Sequence, residues 1–414
     1  MGRPLSLKVS AMISVDQALS IVLENVQPLE RETVPLEASL GRILRENVRA
    51  DMDLPPFDRT RMDGYALRYE DAATAPVTLR LIGEVAAGST FAGVVNRGEA
   101  VKIFTGAPVP PGADAVQKVE VTERDGADGL AVLIKESVSL GQFITPRASE
   151  VRAGERVAQA GTEVGPAETA VLASFGYDKV KVGSRPRVAV LSTGSELVPV
   201  SARPSHSQIR NSNSYTIAAY ADRSGGRAEI LGTVPDTLEA SREALLAAAR
   251  DHDVVVTSGG VSMGDYDLVK TALQEIGARI YFDKVAIRPG KPIVFARLGD
   301  TYFFGLPGNP VSTSVTYNVF VRPAIRKMLG DTSPLLPAVR TRLDRPIKDA
   351  SSRRSYLPAA LSIASGAAVV TPLKWGGSSD LVGFMNSNAL IVVAEDVHEI
   401  AAGESVDALL IGSL

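Results

Sequence analysis

The chain has 414 residues, which is enough for two to four domains at roughly 100–200 residues each. Hydrophobic residues make up 45% and charged residues 22%, and the net charge of −3 gives no bulk attraction to nucleic acid or to an anionic membrane. The absence of cysteine excludes disulfides, thiolate metal sites and a cysteine nucleophile, while three scattered histidines disfavour a histidine zinc site or a Ser-His-Asp triad.

The first part of the chain combines one helical pattern with short strand-like runs. Residues 14–26 carry apolar residues at helical spacing, and Ser14 with Gln17 three positions later matches a capping box. Residues 52–146 alternate short apolar runs with clusters of Pro, Gly and Asp. This spacing predicts a small β-rich unit.

From residue 187 onward, apolar strand-like runs alternate with helical patterns as far as residue 330. Such alternation is typical of a parallel, doubly wound sheet. Residues 331–414 begin with a proline-rich linker and continue as short strand-like runs, which predict a small β-barrel or sandwich. We therefore expect an α/β multidomain protein.

Three turns follow predicted parallel strands, and ligands of such sheets bind outside the carboxyl ends of the strands. They are "STGSEL" at residues 192–197, "TVPDT" around Asp236, and "TSGGVSMGDYD" at residues 257–267. Small residues let backbone amides approach an anion, and the carboxylates of Asp236 and Asp267 suit Mg²⁺. The alternative is that these are ordinary turns in which glycine supplies the dihedral angles and aspartate caps a helix.

Other dense turns carry charge or hydroxyl groups. "AIRPGKP" places Arg288 and Lys291 on a tight turn that suits an oxyanion, although for this string alone a solvated turn is the better explanation. In "GLPGNPVS", Ser312 is placed to cap the next helix, which does not exclude anion contact. "PPFDRTRMDGYA" contains Asp63, and "IFTGAPVPPGADAV" contains Thr105; surface turns or rigid connectors are the structural alternatives.

Six of these strings together resemble the molybdenum insertase family, which includes the bacterial MoeA proteins and the gephyrin E domain. They occur in the family's order from Asp53 to Ser312, and weaker similarity, including "GGSSD" at residues 376–380, extends to the C-terminus. The strings are "PPFDRTRMDGYA", "IFTGAPVPPGADAV", "LSTGSELV", "TSGGVSMGDYD", "AIRPGKP" and "GLPGNPVS".

The resemblance implies a homodimer with four domains per subunit. Residues 12–30 and 181–330 would form an α/β domain like that of molybdopterin adenylyltransferase. Residues 31–51 and 147–180 would form a discontinuous connecting domain, with the β-rich domain of residues 52–146 inserted into it. Residues 331–414 would form a C-terminal β-barrel.

The resemblance also implies a reaction. Adenylylated molybdopterin and molybdate would be the substrates, and Mg²⁺ would assist hydrolysis of the pterin–AMP bond to give molybdenum cofactor and AMP. Molybdopterin adenylyltransferase would act upstream and molybdoenzymes downstream. The chain has neither a cleavable apolar leader nor a run of about 18 apolar residues, so we expect a cytoplasmic protein without membrane or nucleic-acid partners.

The family's functional positions transfer to this sequence residue by residue. Asp236 and Asp267 would also hold the metal, Asp63 and Thr105 would act from the second subunit, and the oxyanion pocket would contain Arg288, Lys291, Ser312 and Ser378. The expected catalytic residues are Asp63, Thr105, Glu196, Asp236 and Asp267. The expected substrate-binding residues are Ser192, Thr193, Gly194, Ser258, Gly259, Gly260, Arg288, Lys291, Ser312 and Ser378.

The sequence departs from the family pattern at several basic positions. Arg288 stands where lysine is usual, and Thr145, Pro146 and Glu150 lie within a segment that is usually more basic. In the C-terminal domain, Pro358 replaces a characteristic arginine, which Arg353 or Arg354 could supply instead. Loss of a bidentate oxyanion donor is not a conservative change.

Two other functions stay open at this point. A nucleotide pyrophosphatase of the competence-damage-protein type shares the adenylyltransferase-like domain, although that family lacks "PPFDRTRMDGYA" and the barrel. A non-catalytic scaffold with the same fold would fit the altered basic residues. The carboxylates argue against a scaffold, because buried acidic groups are costly without a role.

Overall fold

The computed structural model describes residues 12–125, 129–261, 268–348, 351–364 and 366–413. A π-helical segment, Tyr317–Val321, lies between the sixth and seventh of the α-helices below. The α-helices of the described residues are α1 Val15–Asn25, α2 Pro166–Ser174, α3 Asn213–Arg223, α4 Leu238–Asp251, α5 Leu268–Glu275, α6 Pro310–Thr316, α7 Arg322–Met328 and α8 Leu381–Phe384.

The β-strands are short in the first part of the chain and longer after residue 187. Before that residue they are β1 Arg31–Pro35, β2 Val48–Arg49, β3 Arg59–Thr60, β4 Gly64–Leu67, β5 Val77–Val85, β6 Glu99–Ile103, β7 Ala115–Lys118, β8 Thr122–Asp125, β9 Ala131–Ile134, β10 Ile144–Thr145, β11 Arg156–Ala158 and β12 Lys179–Gly183. From that residue on they are β13 Arg187–Thr193, β14 Leu197–Val198, β15 Ile209–Arg210, β16 Arg227–Val234, β17 Val254–Ser258, β18 Arg279–Lys284, β19 Ile287–Arg288, β20 Pro292–Leu298, β21 Thr301–Leu306, β22 Ala338–Leu343, β23 Ile347–Lys348, β24 Arg354–Ala364, β25 Ala367–Pro372, β26 Ala389–Val393, β27 Glu399–Ile400 and β28 Ser405–Leu410.

The chain forms two compact units. The first contains Met1–Glu46, Ala160–Gly165 and Lys179–Leu414, and the second contains Asn47–Gln159 and Pro166–Asp178. The finer domain boundaries expected from the sequence stay a prediction. Within the described residues, no helix is both long enough and apolar enough to cross a membrane.

The first unit is built on a six-stranded sheet in the order β16-β13-β17-β21-β20-β18. The first four strands are parallel, and β20 pairs antiparallel with both β21 and β18. Successive side chains of a strand point to opposite faces, so a sheet covered on both faces carries apolar residues at every position. The expected doubly wound architecture is confirmed, with an antiparallel strand near one edge as an addition.

Apolar burial on the two faces of this sheet positions the helices. Val188 and Val190 of β13 belong to a core cluster with α1 and α3, whereas Ala189 and Leu191 belong to a second cluster with α4 and α5. Such burial contributes roughly 25 cal/mol per Å² of apolar surface removed from water. The sheet is thereby held between two helical layers, and its strand ends are fixed in space.

Helix α1 begins as the sequence predicts. The Ser14 hydroxyl accepts a hydrogen bond from the Gln17 amide at 3.1 Å, and the Gln17 side chain accepts one from the Ser14 amide at 3.0 Å. This capping box satisfies two backbone donors that the helix itself leaves unpaired.

Residues near the C-terminus form a closed barrel. Strand β24 pairs with β25, β25 with β22, β22 with β28, β28 with β26, and β26 with β24 again. The predicted C-terminal β-barrel is therefore confirmed. Strand β19 lies in the chain between β18 and β20 of the central sheet, but it pairs in parallel with the start of β24.

The second unit contains the predicted inserted β-rich structure. Its six-stranded sheet has the order β7-β4-β6-β5-β9-β8. The central strand β4 is entirely buried, with β6 and β7 antiparallel on either side of it.

Candidate active site

Two concave regions of the first unit contain most of the predicted site residues. The sheet-edge cleft, of about 870 Å³, lies at the carboxyl ends of the parallel strands. The basic pocket, of about 660 Å³, lies beside the start of the barrel. Pro292, Pro307 and Asn309 line both. The two regions therefore share a wall.

The sheet-edge cleft contains residues from every predicted strand-end turn that the structure describes. Asp267 and the rest of residues 262–267 lie outside the described residues. The predicted residues that line the cleft are Thr193, Gly194, Glu196, Asp236, Ser258, Gly259 and Gly260.

Two carboxylates lie beside the turn after β13. The Ser195 amide donates a hydrogen bond to Asp236 Oδ2 at 2.8 Å. Gly194 has a φ of 151°, and a Cβ at this position would lie 2.7 Å from Glu196 Oε2. The carboxylates of Glu196 and Asp236 thus adjoin the same turn, and both residues are exposed. A side chain at position 194 would displace the Glu196 carboxylate, so its present position requires glycine there.

The turn after β17 packs directly onto the end of β13. Gly259 and Gly260 have φ values of 90° and 67°, which L side chains rarely adopt. A Cβ on Gly259 would lie 2.5 Å from the Thr193 carbonyl oxygen, and a Cβ on Gly260 would lie 2.8 Å from Thr193 Oγ1. The two glycines therefore permit a close approach of two backbones.

Thr193 supplies a buried hydroxyl at the base of this cleft. Its Oγ1 has no hydrogen-bond partner among the described residues. A buried unpaired hydroxyl costs about 1–3 kcal/mol, so such atoms are uncommon unless a ligand or water completes them. This atom fits a site that accepts a polar ligand.

Ser192, also expected to bind substrate, lies below the cleft instead of lining it. Its hydroxyl is fully buried and lies 2.8 Å from the Ser214 hydroxyl and 3.3 Å from Asn211 Oδ1. Because Ser192 is the next-to-last residue of β13 and Thr193 follows it, their side chains point in opposite directions. Ser192 holds the turn in place through this network.

Sequence reasoning missed Asn213, the first residue of α3. Its side-chain amide donates hydrogen bonds to Ser258 Oγ and to the Gly308 carbonyl, both at 2.7 Å, and the residue lines the cleft. The available signal was the polar string "NSNS" immediately before a predicted helix, a pattern typical of helix N-termini. Asn213 connects the turns that follow β17 and β21.

The described residues offer hard oxygen ligands but no dense metal cluster. No group of three or more His, Cys, Asp or Glu side chains is placed to hold a metal ion within the described ranges. Mg²⁺ usually keeps several waters and takes one or two carboxylates together with substrate phosphates. The pair Glu196 and Asp236 fits that requirement when a phosphate-bearing substrate is present.

The basic pocket contains all four residues expected to bind the oxyanion: Arg288, Lys291, Ser312 and Ser378. Gly290 has a φ of 113°, and a Cβ there would lie 2.4 Å from Thr316 Cγ2, so the "RPGK" turn packs tightly on α6. Asn309 Nδ2 donates a hydrogen bond to Ser378 Oγ at 2.9 Å. These contacts fix the wall between cleft and pocket.

The expectation that Ser312 caps the next helix was wrong. Helix α6 begins at Pro310 with Asn309 as its N-cap residue, so Ser312 lies inside the first turn and is buried. Proline is favoured at the first helical position because its missing N–H would be unpaired there, and the helix starts three residues earlier than expected.

Arg353 and Arg354, the two candidate replacements for the missing family arginine, contact different parts of the structure. Arg353 lines the basic pocket together with Pro358, and its Nη1 donates a hydrogen bond to the Ile287 carbonyl at 2.9 Å. Arg354 instead binds both carboxylate oxygens of Asp16, at 2.6 and 2.8 Å. These hydrogen bonds, donated by Arg354 and accepted by Asp16, lower the pKa of Asp16 and raise the pKa of Arg354.

Asp63 and Thr105 lie together on the second unit. Asp63 Oδ1 accepts hydrogen bonds from the Thr105 hydroxyl at 2.6 Å and from the Thr105 amide at 2.7 Å. These two hydrogen bonds hold the pKa of the Asp63 carboxyl below its usual range, and the bond from the Thr105 hydroxyl has the larger effect. Both residues are exposed, and the Asp63 carboxyl is ionised at neutral pH.

The divergent segment at residues 145–150 packs against the loop that precedes Asp63. Thr145 pairs with Arg59 between β10 and β3, and Glu150 forms an ion pair with Arg59 at 3.0 Å. Pro146 lies between them in the chain. The acidic residue at position 150 therefore serves a contact within this unit.

Comparisons with known proteins cover almost the whole chain. Residues 13–176 match the MoeA N-terminal region (domain I and II), residues 189–327 match the probable molybdopterin binding domain, and residues 340–411 match the MoeA C-terminal region (domain IV).

Curated relatives of this chain are named molybdopterin molybdenumtransferase. The chain is 33% identical over 403 residues to a molybdopterin molybdenumtransferase of Staphylococcus aureus strain COL, covering 96% of this chain and 95% of the relative. It is 34% identical over 404 residues to one of Bacillus subtilis strain 168, covering 96% and 94%.

Solved structures agree with these matches. A molybdopterin biosynthesis MoeA protein from Pyrococcus horikoshii aligns with a TM-score of 0.81 at 31% identity over 98% of this chain and 100% of that one. A second structure, of the protein from Pyrococcus horikoshii OT3, gives a TM-score of 0.83 at 30% identity over 97% and 100%. The chain belongs to the MoeA family of molybdopterin molybdenumtransferases.

Proposed function

We propose that this chain inserts molybdenum from molybdate into adenylylated molybdopterin and hydrolyses the pterin–AMP bond to release molybdenum cofactor and AMP. The observation that carries the proposal is the shared wall of Pro292, Pro307 and Asn309. It separates a cleft with carboxylates and backbone donors from a pocket with cationic side chains. A reaction that hydrolyses a phosphoanhydride and transfers the metal of an oxyanion to the same substrate needs two such sites next to each other.

The sheet-edge cleft would hold the phosphoanhydride and the AMP end of the substrate. The glycine turns after β13 and β17 let the substrate approach the backbone closely, and the unpaired Thr193 hydroxyl would bind a phosphate oxygen. Asn213 would keep the turns in register through its two hydrogen bonds. Such preorganised donors lower the cost of placing charge in the site.

The carboxylates of the cleft would act on the water and the metal. Glu196 and Asp236 would hold Mg²⁺ together with Asp267, and Mg²⁺ would offset the negative charge of the phosphoanhydride oxygens. Asp236 also fixes the Ser195 amide, so its carboxylate keeps one orientation. The Glu196 carboxylate, held over Gly194, would orient the attacking water.

The basic pocket would hold molybdate through Arg288, Lys291, Ser312 and Ser378. Cationic side chains and hydroxyls are suitable donors for a tetrahedral oxyanion. Because Asn309 lines both regions, molybdate in the pocket would lie next to the dithiolene sulfurs of a pterin bound in the cleft.

We further propose a homodimer in which Asp63 and Thr105 act from the second subunit. Their mutual hydrogen bonds leave a carboxylate with a fixed orientation on an exposed surface. Molybdopterin adenylyltransferase would provide the substrate and molybdoenzymes would accept the product in the cytoplasm.

The test is release of AMP from adenylylated molybdopterin in the presence of molybdate and Mg²⁺. Asp236→Asn keeps an acceptor for the Ser195 amide but removes the charge. We therefore expect the rate of AMP release to fall by a factor of about 100 or more, which is typical when one electrostatic group is removed from an active site. Asp300→Asn removes an exposed carboxylate of the β20–β21 loop and is the matched control. Intact substrate after long incubation with the wild-type chain would favour a non-catalytic scaffold.

A further inference from the structure

A separate cavity of the first unit, of about 250 Å³, shares no lining residue with the sheet-edge cleft or the basic pocket. This helix-end cavity lies at the C-terminal end of α3, beside the π-helical segment, α7 and the residues that follow the last barrel strand. Its polar and charged lining residues are Tyr220, Arg223, Ser224, Asn318 and Arg322.

Two guanidinium groups line the helix-end cavity, and in the described part of the chain neither is ion-paired with a carboxylate. Arg223 Nη1 donates a hydrogen bond to the Ile411 carbonyl at 3.0 Å, and Arg322 Nη1 donates one to the Pro334 carbonyl at 2.9 Å. No aspartate or glutamate is among the described residues that line the cavity. Since a guanidinium carries five N–H donors, most donors of both arginines are available to water or a ligand.

The carboxylate that most favours the charge of Arg322 already has a partner. Asp331 forms an ion pair with Arg326 at 2.6 Å. Burial, and then the charge of Arg326, lower the pKa of Arg322 from its ordinary value. The dipole of α3 favours a cation at Arg223, in its last turn, whereas Arg322 is the first residue of α7 and has no such support. Because arginine keeps its proton at neutral pH, a bound anion would stabilise this partly buried charge.

Packing around the π-helical segment gives the cavity a fixed wall. Tyr317 of this segment stacks on Tyr220 of α3, with the ring centroids 5.2 Å apart, and the Tyr317 hydroxyl lies 3.2 Å from Ser224 Oγ. The next residue, Asn318, is buried and donates a hydrogen bond from Nδ2 to the Ser314 carbonyl at 2.9 Å. π-Helical turns are rare and frequently occur at functional sites. This one brings a buried amide to the wall of a cavity that two cations line.

We propose that the helix-end cavity binds a small oxyanion between Arg223 and Arg322, and that this anion is an effector of the sheet-edge cleft. Each guanidinium presents N–H donors in a planar fork that matches two oxygens of a phosphate, sulfate or carboxylate group. Pockets for drug-sized ligands measure about 300–1,000 Å³. A cavity of about 250 Å³ therefore suits an inorganic anion or a short carboxylic acid and excludes a nucleotide.

Two helical paths connect the helix-end cavity with the cleft. Helix α3 begins at Asn213, which bonds two turns of the cleft, and ends at Arg223. Helix α6 begins directly after Asn309 of the shared wall and continues through the π-helical segment into α7, where Arg322 is the first residue. An anion bound to both arginines would restrict both paths, so less conformational freedom would be lost when AMP binds in the cleft.

The effector should therefore tighten AMP binding. This readout rests on the proposed function, because it uses AMP as the ligand of the cleft. Binding of the anion to the helix-end cavity does not depend on that function.

Inorganic phosphate is the probe, and two measurements on the full-length protein separate its sites. Calorimetry detects all bound phosphate. Trp375 is the single tryptophan of the chain and lines the basic pocket, so its fluorescence reports phosphate in that pocket. We expect calorimetry of the wild-type chain to show a phosphate site that the Trp375 signal does not follow.

Matched variants separate a specific donor from general charge. Arg322→Ala and Arg223→Ala should each weaken the additional phosphate site at least about tenfold, and Arg322→Lys should weaken it less, because lysine keeps the charge but loses the fork. Arg340→Ala removes an exposed arginine of β22 that pairs with Asp407, so it should leave this site unchanged. The Trp375 response should be the same in all four variants.

The effect on the cleft is measured with the same proteins. Saturating phosphate should tighten AMP binding about fivefold in the wild type and in Arg340→Ala, but not in Arg322→Ala or Arg223→Ala. Thermal unfolding in phosphate-free buffer checks that each variant is folded. Arg223 is exposed, so its variant tests the cavity even if Arg322→Ala is unstable.

The outcomes are distinguishable from those of the proposed function. Equal phosphate binding by the wild type and both alanine variants of the cavity would overturn the anion site, as would an equal loss in Arg340→Ala. Phosphate binding that depends on Arg322 but leaves the AMP affinity unchanged would overturn the effector role. If phosphate tightens AMP binding through Arg322 but the wild type releases no AMP from adenylylated molybdopterin, the inference stands and the proposed reaction fails.

Discussion

The sheet-edge cleft and the basic pocket share a wall but are built in different ways. The cleft takes its shape from backbone, through glycines at positive φ and the buried Thr193 hydroxyl. The pocket takes its character from the long cationic side chains that line it: Arg288, Lys291, Lys348 and Arg353. The difference teaches that changes to the glycines of the cleft will disturb the fold, whereas changes to the charged side chains of the pocket will disturb binding and leave the fold intact.

The largest effect expected from this comparison is on stability at Gly259. Gly259→Ala would place a Cβ 2.5 Å from the Thr193 carbonyl oxygen at a φ of 90°. Left-handed strain and overpacking should together cost about 3 kcal/mol of unfolding free energy. Gly277→Ala is the matched control, because its φ is 81° and nothing lies within 4 Å of its Cβ. It should cost about 1 kcal/mol in urea unfolding.

Equal costs for these two variants would break the comparison, since the close approach of the two strand ends would then contribute nothing. A larger loss for Gly277→Ala would have the same meaning.

The next effect separates the cleft's ligand function from its structural function. Thr193→Val removes a buried hydroxyl that has no partner among the described residues, so the unfolding free energy should stay within about 1 kcal/mol or rise. The affinity for AMP, measured by calorimetry, should fall about tenfold, which corresponds to about 1.4 kcal/mol.

Thr257→Val is the control for this variant. Its hydroxyl is likewise buried without a partner in the described part of the chain, but Thr257 does not line the cleft. It should leave AMP binding unchanged. A comparable loss of AMP affinity in both variants would show that packing of the strands, and not the Thr193 hydroxyl, governs the site.

A smaller effect is expected in the basic pocket. Lys291→Ala removes one charge from the lining and should weaken molybdate binding about fivefold at low salt, with the difference shrinking as ionic strength rises. The unfolding free energy should change by less than about 0.5 kcal/mol. Lys374→Ala, an exposed neighbour of Trp375 outside the pocket lining, carries the same change in charge and should bind molybdate normally.

The smallest effect extends the comparison to the second unit. Asp63, like Asp236, is a carboxylate fixed by a backbone amide, and the Thr105 hydroxyl adds the larger part of the downward shift in its pKa. Thr105→Ala should therefore raise the pKa of Asp63 toward its ordinary value, as seen in an NMR titration of the carboxyl carbon.

The sign for stability follows from linkage. A carboxyl with a depressed folded pKa stabilises the fold above its unfolded pKa, and this contribution is lost as pH falls through the folded pKa. Thr105→Ala should reduce that acid dependence. An unchanged Asp63 titration would mean that the amide alone sets its pKa.

The positions of the turns could be predicted from sequence, whereas side-chain directions could not. Glycine-rich turns after apolar strands indicated a common sheet edge, and Thr193, Asp236 and Gly259 do line one cleft. Neighbouring residues of a strand face opposite sides, so one register decides that Thr193 lines the cleft while Ser192 is buried below it. Only the pairing of β13 with its neighbours fixes that register.

The same limit applies to Arg353 and Arg354. Both are arginines at the start of one strand, and sequence alone gives no reason to prefer either for the oxyanion. The structure separates them, because Arg353 lines the basic pocket and Arg354 binds Asp16. The contribution of Asn213 also depends on tertiary structure, because its partners Ser258 and Gly308 are distant in sequence.

The bond between Asp16 and Arg354 has a consequence for how the protein is made. The two residues are 338 positions apart, and Asp16 lies in the first turn of α1. Helix α1 also buries Val15, Ala18 and Val22 in a core whose other members extend as far as Ile411. An isolated helix of this length is marginal in water. During synthesis on the ribosome, helix α1 can therefore complete its contacts only after Arg354 and Ile411 have been added to the chain.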